Sequence, residues 1–266
     1  MNKLKKVLGI LVWVSGFLGL VVTMGFVSGN QKSRKCTRIN IVVSEEDGNS
    51  FVDASDVMDM LSSRGKKLTD TPMEDINTGM LEKIVNTNPF IGNAEVFSTI
   101  DGVVNINVKQ RNPVIRIMNA KEEDYYMDED GVFMPVSDKF TAPVIVANGY
   151  IFNSYAEKRI RHLDYNPSDT VSERVMLEQL FTLANVIRKD TFWNAQVEQL
   201  YVNEWQEIEM IPRLGNHKII LGDVSNLDDK LSRLMIFYKK GLNKIGWNTY
   251  RTINLKFKNQ VVCSKN

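Results

Sequence analysis

From Val7 to Val27 the chain reads VLGILVWVSGFLGLVVTMGFV, with no charged side chain; beyond it, apolar and polar positions alternate in short runs. Those 21 residues rise about 1.5 Å each, roughly 31 Å in all, which matches a bilayer's hydrocarbon core. The pattern predicts a cytoplasmic tail over 1–6, one transmembrane helix over 7–27 and a linker over 28–36. Trp13 and Phe26 are the aromatic residues nearest its ends. The rival reading is a cleaved signal peptide beginning at Lys3, Lys5 and Lys6. Signal h-regions run only about 7–15 residues and no A-x-A site follows, although Val27-Ser28-Gly29 keeps that reading open. Ser33-Arg34-Lys35 ahead of Cys36 is the wrong lead for a lipoprotein. Basic residues flank both ends (Lys32, Arg34, Lys35 and Arg38 on the second side), so their count does not orient the helix. The short tail and long body favour an inside N-terminus, because long domains translocate largely regardless of charge. Two readings of the second basic cluster stand: contact with anionic head groups or a solvated linker.

Residues 37–112 read as a small β-α-α-β-β unit. Ile39, Ile41 and Val43 alternate in a strand. A polar loop, Ser44 to Ser50, leads to Asp53, which is placed to cap a helix carrying Val57, Met60 and Leu61 on one side. Thr71-Pro72-Met73-Glu74 has the spacing of a capping box with proline at the first helical position. It predicts a second helix whose stripe is Met73, Ile76, Met80, Leu81 and Ile84. Asn88-Pro89 stops that helix. Ile91 to Thr99, the turn Asp101-Gly102 and the alternating Val104, Ile106 and Val108 then make a hairpin.

Residues 113–266 read as strands with packed helices. A strand over Val114 to Met118 and a hairpin over Tyr125 to Pro135 come first. Asp128, Asp130 and Gly131 are turn chemistry; Tyr126 breaks the calcium-loop register. Two amphipathic helices follow, Ser172 to Lys189 (Met176, Leu180, Leu183, Ile187) and Asn226 to Lys244 (Leu227, Leu231, Leu234, Tyr238, Leu242). Between them lie strand-like runs over Gln196–Val202, Gln206–Ile211 and His217–Leu221. The charged stretch 153–169 is an inserted helix or loop without a readable role. The last run, Thr252 to Val261, places Ile253, Leu255, Phe257 and Val261 on one face, which predicts a strand at a sheet edge. An internal strand with Phe257 in the core is the competing reading.

Composition narrows the chemistry. The chain has 266 residues, 43% hydrophobic and 24% charged, with net charge +1, so it is globular material without a field to attract nucleic acid. Cys36 and Cys263 make neither a disulfide framework nor a metal spacing. They are two independent thiols, or a pair if the body lies outside the cytoplasm. The two histidines, His162 and His217, lie in no nucleophile or metal motif. The acidic pairs Glu45-Glu46, Glu122-Glu123 and Asp228-Asp229 read as solvated charge. No cofactor or metal is expected, and no enzymatic activity.

The β-α-α-β-β order and the run NPFIGNAEVFSTIDGVVNINVKQRNPV resemble the POTRA domain of the bacterial divisome family FtsQ (DivIB), with Gln110 where that family commonly carries Glu. The Tyr-hydrophobic-Asp-x-x-Gly segment at Tyr126–Gly131, the run Ala142-Pro143-Val144-Ile145-Val146 and the final strand after Trp247-Asn248-Thr249-Tyr250-Arg251 resemble its C-terminal β-domain. The resemblance spans the anchor, the POTRA unit (37–112) and the β-domain (113–266), and gives an α+β fold class.

The resemblance implies a non-catalytic scaffold linking early and late cell-division proteins at the septum. It would be single-pass in the cell inner membrane, with its C-terminal body periplasmic. The family's partner is an FtsB–FtsL pair that docks on the last strand; here those positions fall on Leu255, Lys256, Phe257, Asn259, Gln260 and Val261. Phe257 would be the aromatic anchor and Lys256 the basic residue meeting an acidic partner. Asn259 and Gln260 depart from the small residues seen in some members. Other division proteins would meet the POTRA unit. Two alternatives stand beside this reading, a POTRA scaffold for secretion or envelope assembly and a membrane-anchored cell-wall enzyme.

Overall fold

The computed structural model describes residues 13–21, 34–44, 48–63, 68–155 and 171–265. Residues 13–21 are helical, with Trp13, Phe17 and Leu18 exposed. Among the described residues no helix is long and apolar enough to cross a membrane. The predicted span 7–27 runs beyond the described residues at both ends. Most of the 153–169 stretch and His162 also lie outside them. The rest divides into two compact units: one holds Val52–Gln110 with the chain up to Glu45, the other Glu46–Phe51 and Arg111–Asn266.

The first unit has the β-α-α-β-β order: β1 (Arg38–Ser44), α1 (Ala54–Ser62), α2 (Thr78–Val85), β2 (Ile91–Ser98) and β3 (Val103–Gln110). The sheet order is β1-β3-β2, with β1 parallel to β3 and β2 antiparallel to it. Its hairpin turns through Gly102, whose φ of +83° suits glycine. Val104, Ile106 and Val108 are buried as their alternation predicts. Asp53 caps α1, and Asp53 and Asp56 form a capping box through each other's backbone N–H groups. Val57 and Leu61 carry the buried side of α1. Gln110 closes the unit: its Oε1 accepts from Val52 N at 2.9 Å and its Nε2 donates to the Ser44 carbonyl at 3.2 Å.

The second helix does not start at Thr71. Cys36 N donates to the Thr71 carbonyl and Met73 N to the Arg34 carbonyl, each at 2.8 Å. That cross-chain pairing holds Pro72 extended, and only a 3₁₀ turn, Met73–Asp75, follows. The α-helix begins only at Thr78, capped by Asn77, whose side chain accepts from Met80 N. Its buried stripe is correspondingly Leu81, Ile84 and Val85. Met73 and Ile76 are half-buried and Met80 is exposed.

The second unit is built on a mixed sheet. Its strands are β4 (Pro113–Met118), β5 (Asp124–Asp128), β6 (Phe133–Pro135), β7 (Ile145–Gly149), β8 (Val197–Val202), β9 (Ile208–Pro212), β10 (Lys218–Gly222), β11 (Thr252–Asn254) and β12 (Val262–Ser264). Among the described residues they align in the order β12-β11-β10-β9-β8-β7-β4-β5-β6. Among the described residues its helices are α3 (Val171–Lys189), α4 (Thr191–Gln196), α5 (Leu227–Phe237) and α6 (Asn243–Ile245), with α5 joined to α6 by a π-helical turn, Tyr238–Leu242. Met176, Leu180, Leu183 and Ile187 of α3 share one core with Leu227, Leu231, Leu234, Tyr238 and Leu242. The apolar sides of the strands, Ile115, Ile117, Leu200, Met210 and Ile219, fill the rest of it. The short helix α4 escapes the sequence pattern, which passes from helix to strand at this point; Asp190 caps it through Phe192 N and Trp193 N.

Asp128 serves the turn between β5 and β6. It is 1% exposed, accepts from Val132 N at 2.7 Å and Asp130 N at 3.0 Å, and pairs with Arg111 at 2.7 Å. Residues 49 and 50, the end of the expected loop, and Phe51 after it belong to this unit, with Phe51 edge-on to Phe140 and Tyr126.

Candidate partner-docking surface

Three elements build the C-terminal end of the sheet. β10 leads into α5, and the chain returns as β11 parallel to β10, with Lys218, Ile219 and Ile220 beside Thr252, Ile253 and Asn254. β12 then turns back antiparallel to β11 and, among the described residues, forms one of the two edges of the sheet. The predicted continuous strand Ile253–Val261 is therefore replaced by a short strand, a loop and a second short strand. Turn chemistry explains the break. Asn254 Oδ1 accepts from Lys256 N at 3.0 Å, an Asx turn that competes with the ladder. Asn259 adopts φ +59°, a conformation asparagine tolerates better than most residues.

This break separates residues that alternation had placed on one face. Ile253 and Leu255 are wholly buried, whereas Phe257 is 46% exposed. Leu255 N is tied to the Ile220 carbonyl at 2.9 Å. Leu255 is thus a core side chain and cannot present itself to a partner, which removes it from the predicted contact set. Lys256, Phe257, Asn259 and Gln260 are exposed together on the loop, and Val261 lies half-buried against the core.

The Lys256 ammonium pairs with Glu207 at 2.5 Å. Its stem passes over Gly222, where φ is +80° and an added Cβ would come within 2.9 Å of Lys256 Cγ. Beneath the loop lies an open polar cleft of about 720 Å³, lined among others by Gln206, Asp223, Asp229, Lys230, Lys258 and Asn259. Lys230 is buried there, its ammonium donating to the Asp223 carboxylate at 2.8 Å and carbonyl at 2.9 Å. That bond, helped by Ser225, holds the Asp223 carboxyl down at about 2.

Arg233, which the sequence pattern does not single out, reaches across from α5. Its Nη1 donates to the carbonyls of Phe257 at 2.8 Å and Gln260 at 2.5 Å, and its Nη2 to that of Leu255 at 3.2 Å. Its Nε donates to Asp229 at 2.9 Å. Only the Asp229–Arg233 spacing of four residues was legible in advance.

Elsewhere in this unit His217 is 2% exposed, between Tyr238 Oη at 3.0 Å and the Trp247 carbonyl at 3.4 Å. Trp247 stacks on its ring, and Trp193 lies tilted against Tyr238 with ring centroids 6.1 Å apart. Among the described residues no group of His, Cys, Asp or Glu is arranged to hold a metal ion. Cys36 and Cys263 are both free thiols.

No curated protein matches the chain. Residues 34–109 match the family described as POTRA-like domain, in keeping with the strand order and helix pair of the first unit. Residues 112–264 match that described as FtsQ/DivIB, C-terminal related, which covers the whole sheet from β4 to β12. The chain belongs to the FtsQ/DivIB family.

Proposed function

We propose that this chain is a non-catalytic cell-division scaffold, anchored in the inner membrane by residues 7–27 with the N-terminus inside. It links early and late division proteins at the septum through surfaces held in the periplasm. The sheet edge β12, with the loop 255–261 beside it, receives a strand of an FtsB–FtsL-like pair, and the POTRA-like unit meets other division proteins. The observation that carries this reading is Phe257, a large aromatic side chain left 46% exposed beside an unpaired sheet edge. An open edge is a template for an added strand, and partly exposed aromatic residues are the usual anchors of an interface.

Lys256, Asn259, Gln260 and Val261 supply the surround of that anchor. Lys256 already holds Glu207, so an acidic partner side chain exchanges with it. The reading is tested by depleting the protein and complementing with the wild-type chain or with Phe257→Ala. Depleted cells should grow as unseptated filaments that only the wild type fully rescues. Normal septation after depletion would refute the division role. Unchanged capture of the FtsB–FtsL-like pair by Phe257→Ala would move the docking site elsewhere.

A further inference from the structure

Beyond Leu255, whose N–H still bonds to Ile220 of β10, the loop 255–261 lies outside the ladder formed by β10, β11 and β12. Its shape is fixed from the side by one guanidinium. Arg233 spans the carbonyls of Leu255, Phe257 and Gln260, while its own side chain is only 15% exposed. Asp229, one helical turn earlier, takes the remaining Nε–H and so sets the orientation of the fork. A guanidinium presents rigid, planar donors that a lysine ammonium does not reproduce. The three contacts to the loop are all to main-chain oxygens, so they fix where the loop backbone runs whatever its side chains are.

We propose that Arg233 is the positioning residue of the docking edge, holding the loop so that Phe257 stands beside β12. The inference rests on the docking reading given above. It also restricts the register of any added strand: the carbonyls of Leu255, Phe257 and Gln260 are directed at Arg233 and are not open to a partner, so a partner strand pairs with Val262–Ser264.

The test uses the full-length chain in detergent, with the co-purified extracytoplasmic segments of the FtsB-like and FtsL-like proteins as the probe. Arg233→Lys keeps the charge beside Asp229 and removes the fork. Hydrogen exchange at amides 256–262 should accelerate about tenfold or more while the rest of the unit exchanges as before. Affinity for the probe should fall about tenfold, and for Phe257→Ala about thirtyfold or more. Wild-type loop exchange and wild-type affinity in Arg233→Lys would overturn the proposal. Faster loop exchange, with affinity unchanged in both Arg233→Lys and Phe257→Ala, would instead overturn the docking reading and the proposal with it. If Arg233→Lys fails to fold, Arg233→Gln, which also removes the guanidinium fork, carries the same measurements with the same outcomes.

Discussion

His217 Nε2 lies 3.0 Å from the hydroxyl of Tyr238 in the core of the second unit. Burial holds the ring's pKa below its ordinary 6.5, against the opposing pull of the Trp247 carbonyl. Burial also raises the Tyr238 phenol, which stays neutral. Above pH 6.5 the histidine is neutral in folded and unfolded chains alike. As pH falls below that value the unfolded chain gains a proton that the folded one refuses, so stability is lost towards the depressed folded value. Thermal melting of the soluble body should therefore show a midpoint that falls as pH drops below about 6.5, and His217→Gln should flatten that step. Tyr238→Phe leaves the buried ring nitrogen without its partner and should cost about 1–3 kcal/mol.

Helix capping in the first unit separates two aspartates from a threonine. Asp53→Ala should cost about 0.5–2 kcal/mol in denaturant unfolding, because its carboxylate holds Ser55 N and Asp56 N. Thr71 caps no helix; its carbonyl accepts from Cys36 N. An unchanged unfolding midpoint in Asp53→Ala would contradict the capping assignment.

Leu255 and Phe257 should respond in opposite ways although only one residue separates them. Leu255→Ala removes a wholly buried side chain and should destabilise the body by about 2–5 kcal/mol. Phe257→Ala should leave the melting midpoint nearly unchanged and weaken partner binding by about 2 kcal/mol or more. Calorimetry on both variants, with titration of the partner, distinguishes core from contact.

Gly149 ends β7 with φ +99°, and a Cβ added there would collide with the Val202 carbonyl. That carbonyl also accepts from Tyr150 N at 2.9 Å, so it has little room to move. Gly149→Ala should destabilise the body by about 2 kcal/mol or more through combined strain and steric overlap. Chemical denaturation checks it.

Topology has its own test. With residues 7–27 as anchor and the body outside, protease added to intact spheroplasts should digest the body and leave a fragment of anchor size. Survival of the full-length chain would reverse the orientation.

Alternation with period two and turn residues made β2, β3 and their glycine turn legible, because both signals are local. The helix stripes of α3 and α5 were legible for the same reason. Thr71 misled because a capping motif says nothing about a distant backbone, and the pairing with Arg34 and Cys36 took precedence. The final run misled because Asn254 and Asn259, read as polar positions of a strand, act as turn formers. Arg233 was invisible as a site residue: its targets are main-chain carbonyls more than twenty residues on, and carbonyls leave no mark in a sequence.

The edge strand β12 is three residues long, Val262–Ser264. Alternate residues of a strand face outward, so it presents at most about four backbone groups to a newcomer. At about 0.5–1.5 kcal/mol net for each hydrogen bond, they supply roughly 2–6 kcal/mol before the cost of association, around the level of millimolar affinity. A stray extended peptide finding this edge would therefore fall away quickly. Only a chain that also fits the surround of Phe257 would remain, and the shortness of the strand thus works as a filter for the right partner.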